Sequence, residues 1–256
     1  MSLEFNYKNA VRFALAATLL TNATATYVQR PETGRAFSAL GGLNPNCQEI
    51  IPSLRHYDMI AVFGAGTYID ENDINQPNSF QTERLKMAAV AVVAGFSDKI
   101  LLVDGGDGSV ENASIELLEN YIYEISFGQN TLNRDKVKSI QNSLNSAENV
   151  RDLGLYMKTN GLTKVLSITD LFHYNRLKLL VENYDITTDI APTECLAIEY
   201  MPGDLPYLVE RSYSPEMLKM VLKEKIAILE LAIDKKGILP IAIKTFLNEL
   251  NVSREK

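Results

Sequence analysis

Four times along the chain an apolar, β-type run breaks into a polar or glycine-bearing turn and then into an amphipathic helical stretch. That alternation admits few folds, because successive strands joined through helices must run parallel, with right-handed crossovers and a helical layer over the sheet. The breaks fall at Gly64-Ala65-Gly66, at Asp104-Gly105-Gly106-Asp107-Gly108, from Ser143 to Asn149, and at Thr169-Asp170 leading to His173 and Arg176. In a parallel sheet every strand-to-helix turn lies at the carboxyl ends of the strands, where such folds bind ligands. Gly64, Gly105, Asn145 and His173 are therefore expected to border one crevice despite their separation in sequence.

The apolar runs Asp58 to Phe63, Lys99 to Val103, Val137 to Ile140 and Lys164 to Ile168 read as strands. A further strand is expected over 186–190, and Cys195 to Tyr200 reads equally as extended or helical. Leu85, Ala88, Ala89, Val92, Val93 and Phe96 keep the spacing of one buried helical face, as do Ile115, Leu118, Ile122 and Ile125 in the next helix. Val150, Leu153 and Met157 mark a third helix, which Gly161 is placed to stop, and Leu177, Leu180, Val181 and Tyr184 a fourth. Residues 64–78 are long for a strand-to-helix connection, and loops of that length are often lids or binding loops. Ser214-Pro215-Glu216 is a strong helix start, predicting a buried stripe of Leu218, Leu222, Ile226, Leu229 and Ile233, with a last helix near 238–250. The expected fold is a three-layer Rossmann-like α/β domain over 55–201, with a mainly parallel sheet in the order 3-2-1-4-5. An N-terminal helix and connector (1–54) and C-terminal helices (202–256) pack on it.

With 46% hydrophobic residues among 256, the chain can build a full core. A net charge of −7 removes the long-range electrostatic drive for non-specific binding to nucleic acid or an anionic membrane, so any anion must be held by local donors. Only Cys47 and Cys195 occur, without zinc-ligand spacing, and the expectation is two free thiols in a cytoplasmic protein. Lys8 and Arg12, the apolar run Phe13 to Leu20 and the small residues Ala23 to Ala25 resemble a weak secretory signal. The run is short and Glu4 is acidic, so 7–28 is read as a soluble helix with no membrane anchor.

Each turn has a plain structural reading beside its functional one. Gly64-Ala65-Gly66 suits either close backbone approach to a ligand or a simple tight turn; Ile69 stands where a GxGxxG motif needs its third glycine. Gly105 and Gly106 could form an anion-binding nest, with Asp104 and Asp107 weak candidates for a divalent cation. Asn145 with Glu148 resembles a helix-capping box, and Asp170 could likewise serve as a cap. His173 and Arg176 share one helical face near its start, where the dipole disfavours cations unless an anion is near. No nucleophile elbow or papain-like cysteine context is present.

Taken together, these segments resemble the YdcF/SanA/ElyC family, a group of bacterial domains of unsettled biochemistry, over roughly Tyr57 to Pro192. AVFGAG at Ala61 to Gly66 is similar to the family's opening strand and glycine turn; TERLKMAAV with Arg84 to its arginine-bearing helix; LLVDGGDG to its Gly-Gly turn. SLNSAEN at Ser143 to Asn149 resembles its Ser-x-Asn-Thr-x-Glu-Asn marker, and TDLFHYNR at Thr169 to Arg176 its Thr-x-x-x-His-x-x-Arg pattern. Ser146 replaces the usual threonine, Ser114 stands where the family carries glutamate, and the acid before Ser143 is absent. The resemblance implies a Rossmann-like fold and a nucleotide-type ligand, S-adenosylmethionine being one candidate, in proteins tied to envelope or peptidoglycan-precursor biology.

The resulting expectation is a protein binding a small anionic or nucleotide-type ligand at the carboxyl edge of its sheet. Arg84 and Arg176 would meet negative charge; Gly64, Gly66, Gly105 and Gly106 would offer backbone; Ser143, Asn145, Asn149 and Asp170 would add polar contacts. If it catalyses group transfer or phosphoester hydrolysis, His173 is the first acid–base candidate and Glu148 the second. The rival is a non-catalytic regulator or scaffold in envelope homeostasis. An S-adenosylmethionine-dependent methyltransferase would need Asp104 as its ribose-binding acid.

Overall fold

A computed structural model of the protein describes residues 47–50, 56–71, 73–104, 110–141, 143, 145–204, 207 and 214–233. The expected helices over 7–28 and 238–250, together with Gly105, Gly106 and Asp107, lie outside these residues.

The elements are α1 (Cys47–Ile50), β1 (Met59–Phe63), β2 (Thr67–Ile69), β3 (Asn75–Pro77), α2 (Ser79–Val93), β4 (Ile100–Val103), α3 (Glu111–Ile125) and β5 (Val137–Ile140). There follow α4 (Ser146–Asn160), β6 (Val165–Thr169), α5 (Leu171–Asn183), β7 (Asp189–Pro192), α6 (Thr193–Tyr200) and α7 (Pro215–Ile233). Five strands form one parallel sheet in the order β5-β4-β1-β6-β7. Counted along the chain this is the expected 3-2-1-4-5, the arrangement of a Rossmann-like three-layer fold.

Strand periodicity sorts the core into two layers. Ile60, Val62, Ile100, Leu102, Leu166 and Ile168 face α2, α3 and α6, whereas Met59, Ala61, Phe63, Leu101, Val103 and Val165 face α4 and α5. β1, β4 and β6 are buried throughout, which is why β1 and β4 are continuous apolar runs instead of alternating ones; β6 buries the polar Ser167 and Thr169 as well. Gly161 ends α4 in the left-handed conformation at φ +63°, a backbone state that favours glycine.

Three expectations need correction and one open alternative is settled. Residues 67–77 form no open lid loop: β2 and β3 pair antiparallel as a small hairpin, closed by Asp70, whose Oδ1 accepts from the Ile74 amide at 3.0 Å. The fifth strand is Asp189–Pro192, starting three residues later than the expected 186–190 and overlapping its end, because Ile186 instead caps the preceding helix by donating its amide to the Val181 carbonyl. The ambiguous Cys195–Tyr200 is helical, within α6. The thiols are not free: Cys47 and Cys195 form a disulfide, because β7 delivers the fully buried first turn of α6 against α1.

α7 begins as expected, with Ser214 Oγ accepting from the Met217 amide at 3.1 Å; of its expected stripe, Leu222 is half-buried, and the side chains of Leu218, Leu229 and Ile233 lie outside the described residues. Met217, Val221 and Glu224 point inward, while Ile226 is 40% exposed. Met217 and Val221 pack on Phe80 and Phe172, the latter two in edge-to-face contact with centroids 5.3 Å apart. These rings sit in the first turns of α2 and α5, so α7 lies across the carboxyl edge of the sheet.

Candidate functional site

At the switch point, between the carboxyl ends of β1 and β6, an open α/β sheet offers its crevice. Here that position is occupied by an internal strut. Arg84, on α2, is 2% exposed; its Nε and Nη2 reach Asp170 Oδ2 at 2.7 and 2.5 Å, and its Nη1 donates to the carbonyls of Phe63 and Gly64 at 2.7 and 2.8 Å. Asp170 is fully buried and also accepts from Thr193 Oγ1 at 3.3 Å. Arg84 and Asp170, both expected on the ligand, are thus tied to each other. Nor does the Asp170 side chain cap α5; Glu194 does so from α6, accepting from the Leu171 amide at 2.8 Å and from Thr193 Oγ1 at 2.9 Å.

The glycine turn is satisfied internally as well. The Gly64 amide donates to Val103 and the Ala65 amide to Gln81 Oε1, while Asn78 Nδ2 donates to the Ala65 carbonyl. A Cβ on Gly64 would stand 2.5 Å from Asp104 Oδ1, so this position is small because β1 and β4 end side by side. Gly66 takes φ +103° and its carbonyl receives the amide of Asn78, the N-cap of α2. These contacts support the tight-turn reading. Ser143, 1% exposed, donates to Asp152 Oδ2 at 3.0 Å and so braces the approach to α4.

Beside the strut, the first turns of α4 and α5 come together under α7. Asn145 caps α4, its Oδ1 accepting from the amides of Ala147 and Glu148 at 2.9 and 3.1 Å. Ser146 Oγ accepts from Arg176 Nη2 at 2.8 Å, and Arg176 Nε lies 2.9 Å from Glu224 Oε2 of α7. Glu148 and Asn149 are buried in the first turn of α4, and Asn149 Oδ1 has no hydrogen-bond partner. His173 is 3% exposed; its Nδ1 shares a 2.7 Å hydrogen bond with Thr169 Oγ1, and its Nε2 has no partner. Buried polar atoms are nearly always paired, so both are exceptions that call for an explanation.

Burial, then the charges of Arg176 and Arg84, hold the His173 pKa well below its ordinary 6.5, so the imidazole is neutral. The Glu224 carboxyl is pushed the other way: burial raises its pKa, only partly offset by Arg176 and Arg84. Arg176 thus acts electrostatically on both groups, helping to hold the imidazole neutral and partly offsetting the burial of Glu224. Glu224 was missed in the sequence because it lies off the Leu218–Leu222–Ile226 stripe. Nothing local marks a single acid in an amphipathic helix as buried.

Between α4, α5 and α7 opens a cleft of about 570 Å³, bordered by Asn145, Ser146, Arg176, Lys219 and Lys223 over an aliphatic floor. A second cavity, about 10 Å³, lies beneath the end of β4 among Gln81, Asp104, Glu111, Ser114, Ser139 and Gln141; it has room for about one water. Among the described residues, no three His, Cys, Asp or Glu side chains converge as a metal site would need, and no helix is long and apolar enough to cross a membrane.

Fold and site together define a Rossmann-like α/β protein with a cation-bordered cleft at the carboxyl edge of its sheet. The chain matches no family model, no curated protein and no solved structure.

Proposed function

We propose that the protein binds a small anionic or nucleotide-type ligand where the first turns of α4 and α5 meet α7, in keeping with its resemblance to the YdcF/SanA/ElyC family. The observation that carries this reading is His173 Nε2, buried without a partner near Arg176, which itself borders an open cleft. Arg176 would grip phosphate or carboxylate with its planar fork, and Asn145, Ser146 and Asn149 would complete recognition. If the ligand is turned over, by group transfer or phosphoester hydrolysis, neutral His173 is the first candidate to accept a proton and Glu148 the second. S-adenosylmethionine remains one candidate ligand.

The alternative, a non-catalytic regulator or scaffold in envelope or peptidoglycan-precursor homeostasis, has its own support. Arg176 is already engaged by Glu224, so an arriving anion would compete with α7 and could report its presence through that helix. For the compartment, the cytoplasmic expectation rested on free thiols and on reading 7–28 as a soluble helix; the Cys47–Cys195 bridge removes the first ground and favours an oxidising compartment.

A thermal-shift screen of phosphate esters, nucleotides and S-adenosylmethionine tests the binding reading, followed by calorimetry on Arg176→Lys and Arg176→Ala. Loss of one charge-assisted contact should weaken binding about ten- to a hundredfold, with Ala worse than Lys. Parent affinity in both variants, at normal melting temperatures, would remove Arg176 from the site.

A further inference from the structure

We infer that the ligand of this cleft is a single-chain amphiphile: an anionic head held at Arg176, Lys219 and Lys223, and an aliphatic tail laid along the groove between α5 and α7. The inference rests on the anion-binding reading above and narrows it.

Three observations converge on it. In a chain of net charge −7, the charged residues bordering the cleft are cations, which is charge complementarity to an anion. The remaining wall is aliphatic, with Leu180 in the floor and Leu222 and Ile226 along one side; among the described residues no aromatic ring lines it to stack on a nucleobase. The orientation of α7 supplies the third: with Met217, Val221 and Glu224 buried, Leu222 and Ile226, two residues of the predicted core stripe, border the cleft, and Ile226 is left 40% exposed. Apolar side chains held open beside cations match a ligand with the same two parts, and a cleft of about 570 Å³ falls within the range of small-molecule sites.

Calorimetry with inorganic phosphate and with butyl, hexyl, octyl and decyl phosphate, each below its micellar concentration, tests this on the full-length protein. Burying each added methylene should tighten binding about two- to fourfold, with one ligand per chain. Decyltrimethylammonium, with the same tail and the opposite charge, should bind far more weakly than decyl phosphate. Ile226→Asp should flatten the chain-length series, and Lys219→Ala with Lys223→Ala should weaken every member of it.

Equal affinity for phosphate and decyl phosphate would overturn the tail groove while leaving the anion site standing. Absence of binding by the whole series would overturn both. Tight binding of decyltrimethylammonium would reduce the groove to a non-specific apolar surface. Concentration-dependent self-association abolished by Ile226→Asp would make a second copy of the chain the occupant, and would also overturn the proposal.

Discussion

Arg84 carries its charge at 2% exposure, a position that stays favourable only while its carboxylate and carbonyl partners are in place. Removing one member of such a pair leaves an uncompensated buried charge and typically costs 3 to 5 kcal/mol, about as much as a small domain can lose. Arg84→Met should therefore destabilise the fold by about 3–5 kcal/mol in urea titrations, and adding Asp170→Leu should restore part of that loss. A single variant within about 1 kcal/mol of the parent would remove the strut from the account of stability. His173 makes a separate prediction through pH. Its folded pKa lies below the ordinary 6.5, so the folded state binds fewer protons than the unfolded chain. The stability this contributes is fully present above pH 6.5 and drains away as pH falls from there toward the depressed value. Glu224 has the opposite sign: its raised pKa favours the fold below the ordinary carboxylate range, and that advantage is lost as pH rises through the folded value. The comparison should therefore be between parent and His173→Gln, whose stability should fall less between pH values of about 7.5 and 5. Parallel pH curves for the two proteins would contradict a buried neutral imidazole.

Among the elements, α4 and α7 separate two kinds of role. Asn145 is a working N-cap, so Asn145→Ala should cost about 1 kcal/mol; if it also borders the ligand, affinity falls as well. A stability loss with unchanged affinity would leave Asn145 with capping alone. α7 brings an internal carboxylate to Arg176, so Glu224→Gln should tighten anion binding by roughly tenfold, read by phosphate calorimetry. Unchanged affinity would mean that the ligand and Glu224 do not share that guanidinium. The α7 case also shows why element legibility is uneven. Its start was readable from Ser214 and Pro215 because capping is local chemistry, whereas its buried face depended on Phe80 and Phe172, which belong to other helices. The strand Val137–Ile140 was readable at its full length; the edge strand Asp189–Pro192 was not, because Asp189 and Pro192 at its two ends interrupt the apolar pattern.

At the scale of the molecule, the Cys47–Cys195 bridge ties α1 to α6 across a sequence separation of 148. Denatured, unreduced protein should take up no thiol alkylating reagent, and reduction should add two equivalents, detectable by mass. Loss of the crosslink should cost roughly 2 to 4 kcal/mol. Two alkylated cysteines before reduction would return the protein to the free-thiol reading and to a reducing compartment.

The sequence by itself determined the fold class and strand order, because continuous apolar runs alternating with helical stripes leave a parallel sheet with right-handed crossovers as the economical solution. It also brought out His173, Arg176 and Asn145, since helix starts after strands mark the carboxyl edge. Only the tertiary structure decided which of the charged residues face a ligand and which face each other. Arg84 and Asp170, 86 positions apart, became partners, Glu224 was carried in from α7, and two distant cysteines were joined. Periodicity fixes which face of a helix is apolar, but long-range packing fixes what that face meets.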